Sequence, residues 1–581
     1  MADSISISGM GIVCSIGNNV GEVLSSLKEG RRGIRTMKYL NSRHNDLPVG
    51  EVMLSNDEMK ALLGIDDPAP VSRTTLMAVL AIREAMEQAK LGDTRGKRVA
   101  LISGTTVGVM DLTEQYFAQM KTDDSLLYMP QSNECGRSTN EIAALSGLEH
   151  ARTCTISTAC SSALNSIIIA AEMLKRDEVD IVIAGGTEGL SRFHLNGFNT
   201  LMILDKEPCR PFDATRAGLN LGEGAAFLVM ERNAGDRSLA YVAGYGNHCD
   251  AFHQTASSEN GEGAYLAMAD ALAMAGLKPS DIQYVNAHGT GTPNNDPSES
   301  NALKRIFGDA MPEVSSTKGF TGHTTSASGS IESVFCILAL MHGFTPANIG
   351  FSHPMEGGIV PTMGNTGVNL ENVLCNAFGF GGNDSSLVLS KKPVGYEPLS
   401  TVYKYGIVAD ETVSDVAELS RLKEFGIGPM ESRRMGKLMK AATLSALRAM
   451  EKAGVKCPDA IISATSKGML ETSMQFLEDI EKNGEDQLKP TLFMQSTHNT
   501  ISSAIAIRTG CHGYNITYSH GDKSMDLALE DAVRLIESGK AEYVLVGCYD
   551  ESIPLTDAFA ERAGEPVPQP LYARSLILKR L

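Results

Sequence analysis

One cysteine sits among small residues where a strand-like segment gives way to an amphipathic run: TISTACSSALNSIIIAAEML, residues 155–174, with Cys160 flanked by Ala159, Ser161, Ser162 and Ala163. Small neighbours permit a tight strand-to-helix turn, and a thiol there feels the positive end of the helix dipole, which favours thiolate. Such a thiolate attacks acyl thioesters near neutral pH. A free cysteine by itself is more often a small core residue, so the chemistry depends on what else the chain supplies. Two histidine segments follow. VNAHGTGTPNND (285–296) is a strand end opening into a Gly/Thr loop around His288, and STKGFTGHTTSASGSIE (316–332) carries Lys318, His323 and Glu332. NAFGFGGND (376–384) then makes a glycine-rich turn around Phe380. A cysteine and two histidines are also zinc donors, but these three lie far apart and lack paired ligand spacing.

Together and in this order, these segments resemble the β-ketoacyl-acyl carrier protein synthases, decarboxylating condensing enzymes of the thiolase superfamily. The resemblance runs over residues 1–392 and includes GMGIVCSIG at the start, TACSSA, AGGTE (184–188), RPFDATRAGLNLGEGA (210–225), both histidine segments and GFGG. It implies an α/β, thiolase-like five-layer α-β-α-β-α fold of two similar halves. Residues 1–232 would carry the nucleophile and residues 235–392 the two histidines. Cys160 would take an acyl chain from a carrier thioester. His288 and His323, as neutral imidazoles, would donate to the enolate oxygen formed when a malonyl unit loses carbon dioxide. Lys318 and Glu332 would orient the histidines and a water. Backbone N–H groups of Cys160 and Phe380 would hold the oxyanion, with Phe380 gating between acyl pocket and malonyl site. Thr290 and Thr292 match positions that bind the pantetheine arm, and Gly379 and Gly381 belong to the substrate-binding turn. The implied outcome is two-carbon elongation in fatty-acid, polyene or polyketide synthesis. No resident metal, nicotinamide or flavin is implied; phosphopantetheine arrives on acyl carrier protein, the implied partner. Relatives are usually homodimers joined through their first halves, and a pairing with another synthase-like chain is the alternative. The rival functions are a non-catalytic chain-length or scaffold partner and a malonyl decarboxylase. The related Cys-His-Asn condensing enzymes fit less well. Three departures stand out: the TTSASG loop after His323, Gly291 in place of a common serine, and Asp384 in place of a usual asparagine, which puts acyl preference in question.

The elements that must position these residues read as strands alternating with helices throughout, which implies parallel or mixed sheets covered by helices. A composition break at KKPVGYEPLS (391–400) marks a domain boundary, with a linker over 393–404. Beyond it the chain repeats itself. ISGTTVGVMDLTEQYF (102–117) matches ISATSKGMLETSMQFL (462–477), and TISTACSSAL matches NITYSHGDKS. A repeat seen once at this length signals duplication, so residues 405–581 are a degenerate copy of the first half, a third thiolase-type half-domain. At its nucleophile position stands His520, followed by Gly521. A histidine holds no stable acyl thioester, so this copy reads as a dead site that shapes the acyl tunnel or the assembly. His498 and His512 lie in the same copy. The apolar face that normally meets a sister half must be buried elsewhere.

The chain has 581 residues, 43% of them hydrophobic, and a net charge of −18, which argues against a general binder of nucleic acid or anionic membranes. Its 11 cysteines lack close pairs, as in a reducing cytosol. The opening MADSISISGMG lacks the flanks of a signal peptide, and no apolar run has the length of a membrane span. The reading is therefore cytoplasmic. In this acidic chain, SRRMGKLMKAATLSALRAMEKAG (432–454) concentrates Arg433, Arg434, Lys437, Lys440 and Arg448. Such a basic helix suits an acidic carrier protein, or is a solvated face.

Overall fold

The computed structural model describes residues 3–126, 134–396 and 401–581, so residues 397–400 of the expected linker lie outside the described residues. The first half contains β1 (Ile5–Cys14), β2 (Val99–Gly104), β3 (Arg152–Ile156), β4 (Ile181–Glu188) and β5 (Gly224–Arg232). β1, β2 and β4 are buried at every residue, the pattern of strands covered on both faces. The second half contains β6 (Ala240–Cys249), β7 (Tyr284–Asn286), β8 (Glu313–Ser315), a short ribbon of β9 (Phe344–Thr345) and β10 (Asn365–Thr366), β11 (Asn372–Gly379) and β12 (Asn383–Ser390). The third contains β13 (Tyr405–Val413), β14 (Ala460–Ala464), β15 (Tyr514–Tyr518), β16 (Tyr543–Glu551) and β17 (Leu571–Arg580).

One strand order occurs three times: β3-β2-β4-β5-β1, β8-β7-β11-β12-β6 and β15-β14-β16-β17-β13. In each, the second strand pairs parallel with its two neighbours and the last two pairings are antiparallel. The first two sheets touch edge to edge where β1 meets β6, from Ile5↔Val242 to Ile7↔Ala240. Between them lie the helices Ser162–Lys175 and Ser328–His342, buried around almost their whole circumference, as apolar-all-round helices must be. The Arg73–Gln88 helix covers β1 and β5 from outside, and Glu262–Ala275 covers β6 and β12. This is the five-layer α-β-α-β-α arrangement. The two central helices approach closely because Gly329 lacks a Cβ, which would sit 2.7 Å from that of Leu164. Their N-terminal ends bring Cys160 and the His323 loop together.

The third half docks on the open edge of the first. Tyr518 of β15 pairs with Ile156 of β3, the Ser157 N–H donates to Thr517 O (2.9 Å) and the Ser519 N–H to Thr155 O (3.0 Å). The fifteen strands thus form one continuous sheet. This edge of the first half is filled by the chain's own third half. The apolar residues of the third half join the core of the first, Tyr518, Leu527, Ala532 and Ile536 lying in one buried cluster with Ile156 and Leu174. The Ser524–Glu537 helix, the counterpart of Ser162–Lys175, is amphipathic, with Leu527, Ala528, Ala532 and Ile536 buried and Asp526 and Glu530 exposed. Arg534 pairs with Glu178 (2.7 Å), Lys540 with Glu172 (2.6 Å), Glu537 with Arg176 and Glu530 with Arg152. On this helix, polar residues stand where Ser162–Lys175 carries apolar ones, while β13 at the free end of the sheet still exposes Tyr405, Ile407 and Val408.

The basic segment is likewise reshaped. The helix runs Lys437–Ala453, so Arg433 and Arg434 precede it, and Arg448 is engaged by Glu418 at 2.7 Å. Among the described residues no helix is long and apolar enough to cross a membrane.

Candidate active site

Cys160 lies in a single 3₁₀ turn between β3 and the Ser162–Lys175 helix. Ala159 takes the left-handed region at φ +51°, a strained step that re-aims the chain just before the thiol. Gly379 completes the fit, since a Cβ there would stand 2.7 Å from Thr158 O and 3.2 Å from Cys160 N. The Cys160 Sγ is 3.1 Å from His323 Nε2. On the far side of that ring, Nδ1 is 3.0 Å from the Ser328 hydroxyl, which is 3.2 Å from the Thr324 hydroxyl. The His323 loop is pinned from two sides: the His323 N–H donates to Asn220 O (2.7 Å), and Ser326 Oγ donates to the buried Glu188 carboxylate (2.6 Å).

His288 stands edge-on to His323, their ring centroids 5.3 Å apart at 84°. Its backbone N–H and that of Gly289 donate to the Glu299 carboxylate at 2.8 and 2.7 Å. Lys318 Nζ is 3.4 Å from His288 Nδ1 and 2.6 Å from Glu332 Oε1. An ammonium has donors only, so Nδ1 accepts and the ring proton is on Nε2. Lys318 and Glu332 are buried behind the imidazole rather than lining the cavity.

Burial pushes both imidazoles well below their ordinary pKa, and the Lys318 charge pushes the same way; both rings are neutral. Burial also holds the Glu332 carboxyl up at about 7 against the pull of Lys318. The thiolate expected from the helix N-terminus is corrected. Burial pushes the Cys160 thiol up to about 12, opposed only in part by the Lys318 charge and the backbone N–H groups of Phe380 and Cys160. The resting group is a thiol with its hydrogen-bond partner, His323, already in place.

Cys160, His288, His323, Thr290, Thr292 and Phe380 line one cavity of about 240 Å³. The two threonine hydroxyls are 2.9 Å apart. The Phe380 ring stacks on Phe198 (5.6 Å, 24°), which meets the edge of His323 at 6.5 Å. Gly379 borders the cavity, whereas Gly381 (φ +86°) faces the third half, where a Cβ would stand 2.1 Å from Ser503 Oγ. Asp384 also borders the cavity, and burial beside Asp250 and Glu299 pushes its carboxyl well above the ordinary range.

The third half has no comparable constellation. Both ring nitrogens of His520 are taken by β3 threonines, Nδ1 at 2.9 Å from Thr155 Oγ1 and Nε2 at 3.1 Å from Thr153 Oγ1. His498 bonds Ser519 (2.9 Å), and His512 contacts Cys249 and His248 of β6. What motif reading missed is the support given by Ser328, Glu188, Glu299 and Phe198. Glu188 stands at the end of the AGGTE motif and Ser328 in the TTSASG departure, whereas Glu299 and Phe198 left no signal. Phe493 of the third half, 5.3 Å from Phe198, left none.

Residues 2–235 match the family described as beta-ketoacyl synthase, N-terminal domain, and residues 239–352 its C-terminal domain. A second match to a beta-ketoacyl synthase N-terminal domain covers residues 414–580. A 3-oxoacyl-[acyl-carrier-protein] synthase 2 of Coxiella burnetii is 31% identical over 415 residues, covering 66% of this chain and 98% of that protein. Among solved structures, the ishigamide ketosynthase/chain length factor is 29% identical with a TM-score of 0.62, covering 68% of this chain and 100% of its own. The PfaC keto synthase-chain length factor, 17% identical, shares the fold over 100% of this chain and 78% of its own, with a TM-score of 0.79.

Proposed function

We propose that this chain, which belongs to the β-ketoacyl synthase family, condenses an acyl group held on Cys160 with malonyl-acyl carrier protein, lengthening the acyl chain by two carbons. The observation that carries this is the convergence of one thiol and two neutral imidazoles on one cavity. In the first step the Cys160 sulfur attacks the carrier thioester and its proton passes to His323 Nε2, 3.1 Å away. The tetrahedral oxyanion faces the backbone N–H groups of Cys160 and Phe380. The carrier thiolate leaves and takes the proton from His323.

In the second step the malonyl C–C bond to the carboxylate breaks. Carbon dioxide departs, and the electron pair forms an enolate whose oxygen accepts from His288 Nε2–H and His323 Nε2–H. His323 therefore accepts a proton at Nε2 first and donates from it later. The Ser328 hydroxyl, which both donates and accepts, fits either tautomer. In the third step the enolate carbon attacks the acyl-cysteine, the C–S bond breaks, and a solvent proton restores the thiol. These steps call on no resident cofactor.

The third half would act as an internal partner with two tasks. It shares with the first half a cavity of about 100 Å³ whose walls are apolar at Val107, Met110, Phe117, Leu470, Met474 and Phe559 and polar at Glu134, Lys467 and His498; the apolar wall supports a role in acyl-chain length. It also carries a groove of about 1430 Å³ with Arg433, Arg434, Lys437 and Lys440 on its wall, fitting an acidic carrier protein. Arg433, Arg434 and Lys440 find no carboxylate partner among the described residues. The eleven free cysteines fit a cytosolic setting.

The test is mass spectrometry of the protein incubated with acyl- and malonyl-carrier thioesters. An acyl adduct on Cys160 followed by a 3-oxoacyl product two carbons longer is the expected result. Carbon dioxide release without the adduct would leave a decarboxylase instead.

A further inference from the structure

The third half reaches the catalytic turn itself. Asn499 is fully buried and occupies the N-cap of the Thr500–Thr509 helix. An asparagine there ordinarily bonds an N–H of its own first turn, but Asn499 makes no such cap. Its Nδ2 instead donates to the backbone carbonyl of Phe380 at 2.8 Å and to Asn383 Oδ1 at 3.3 Å. The same turn is held by the Gly381 N–H donating to Gln254 O (2.7 Å) and by contact between Gly381 and Ser503. Phe493 extends the support to the ring side, through Phe198 to Phe380. Three buried polar atoms around the turn, Asn499 Oδ1, Asn383 Nδ2 and Ser503 Oγ, have no partner among the described residues. Gly381 and Gly382, at φ +86° and +75°, give the turn its conformational freedom.

We infer that Asn499 is a positioning residue through which the nucleophile-free third half clamps the Phe380 turn, setting both the gate ring and the oxyanion N–H. The deduction rests on the condensation proposed above for its catalytic consequence, but not for the clamp. Moving the turn away from Cys160 requires breaking the Asn499–Phe380 bond, and the unpartnered amide and hydroxyl groups then become free to pair in the displaced arrangement.

The experiment compares the intact protein with Asn499→Asp and Asn499→Ala. Either change removes the amide donor, and losing one buried hydrogen bond shifts the turn's equilibrium by about tenfold. Alkylation of Cys160 by iodoacetamide, read without substrate, is expected to quicken by about that factor. The kcat for condensation is expected to fall by about as much, with KM for the carrier thioesters little changed. Rates and kcat all within about twofold of the parent protein would overturn the clamp.

Hydrogen exchange on the unmodified protein gives a second reading that needs no variant. Under mild denaturant the Gly379–Asn383 amides should open together with the Thr500–Thr509 helix. Faster, independent exchange of the turn would also overturn the proposal. Absence of any acyl adduct in the parent protein would instead remove the condensation reading, with alkylation and exchange still reporting on the clamp.

Discussion

In the proposed cycle His323 has two jobs at one atom, and the residues around it decide whether it can do both. Because burial keeps both imidazoles neutral, kcat should run flat through pH 6.5, where ordinary histidines half-protonate, and fall only well below it. Folding stability shares the cause. The unfolded chain binds protons near pH 6.5 that the buried rings refuse, so stability declines as pH drops through that region; chemical denaturation at pH 7.5 and 5.5 checks this. For Cys160, iodoacetamide alkylation should keep climbing with pH beyond 9, toward the thiol value of about 12. A plateau near 8 would restore the thiolate that local sequence alone suggested. Ser328→Ala leaves the Nδ1 of His323 without its partner and should lower kcat by about tenfold, one hydrogen bond's worth, with the acyl adduct still forming. These residues were legible because chemistry constrains their type. The thiol's protonation was not, since it depends on burial by segments distant in the chain.

At the scale of the element, the Phe380 turn and the central helices carry the consequences. Gly381→Ala places a Cβ at a left-handed φ and 2.1 Å from Ser503 Oγ. The expected result is a displaced turn, a destabilisation of about 1–3 kcal/mol and loss of condensation, measured by thermal unfolding and product assay. The contrast between the Ser162–Lys175 and Ser524–Glu537 helices shows how far patterning speaks. IIIAAEML is apolar around the helix except at Glu172 and is buried everywhere else, whereas DLALEDAVRL alternates faces and shows Asp526 and Glu530 to solvent. That amphipathicity was readable in the chain. Its implication, that no sister half is needed, became apparent only once the covered and open faces were known.

For the whole molecule, β15 fills the β3 edge and gives the first half an internal neighbour there. Sedimentation should therefore return a mass of 62.0 kDa rather than twice that value. Deleting residues 405–581 would bare the β3 edge and the Phe193–Phe198 cluster against which Phe476 and Phe493 pack. Exposed edges and apolar patches promote association, so the shortened protein should aggregate or change product length. A soluble truncation with unchanged products would count against the internal partner.

The sequence by itself determined the candidate reacting groups, the family's order of motifs and the duplication, because each is written in residue types and spacings that chemistry or ancestry holds fixed. Only the tertiary structure decided that the third copy adds to the sheet edge and reaches the Phe380 turn, and that Cys160 rests as a thiol. Each of those outcomes depends on which surfaces meet and which become dry, and contacts such as Asn499 with Phe380, 119 positions apart in the chain, leave no local pattern to read.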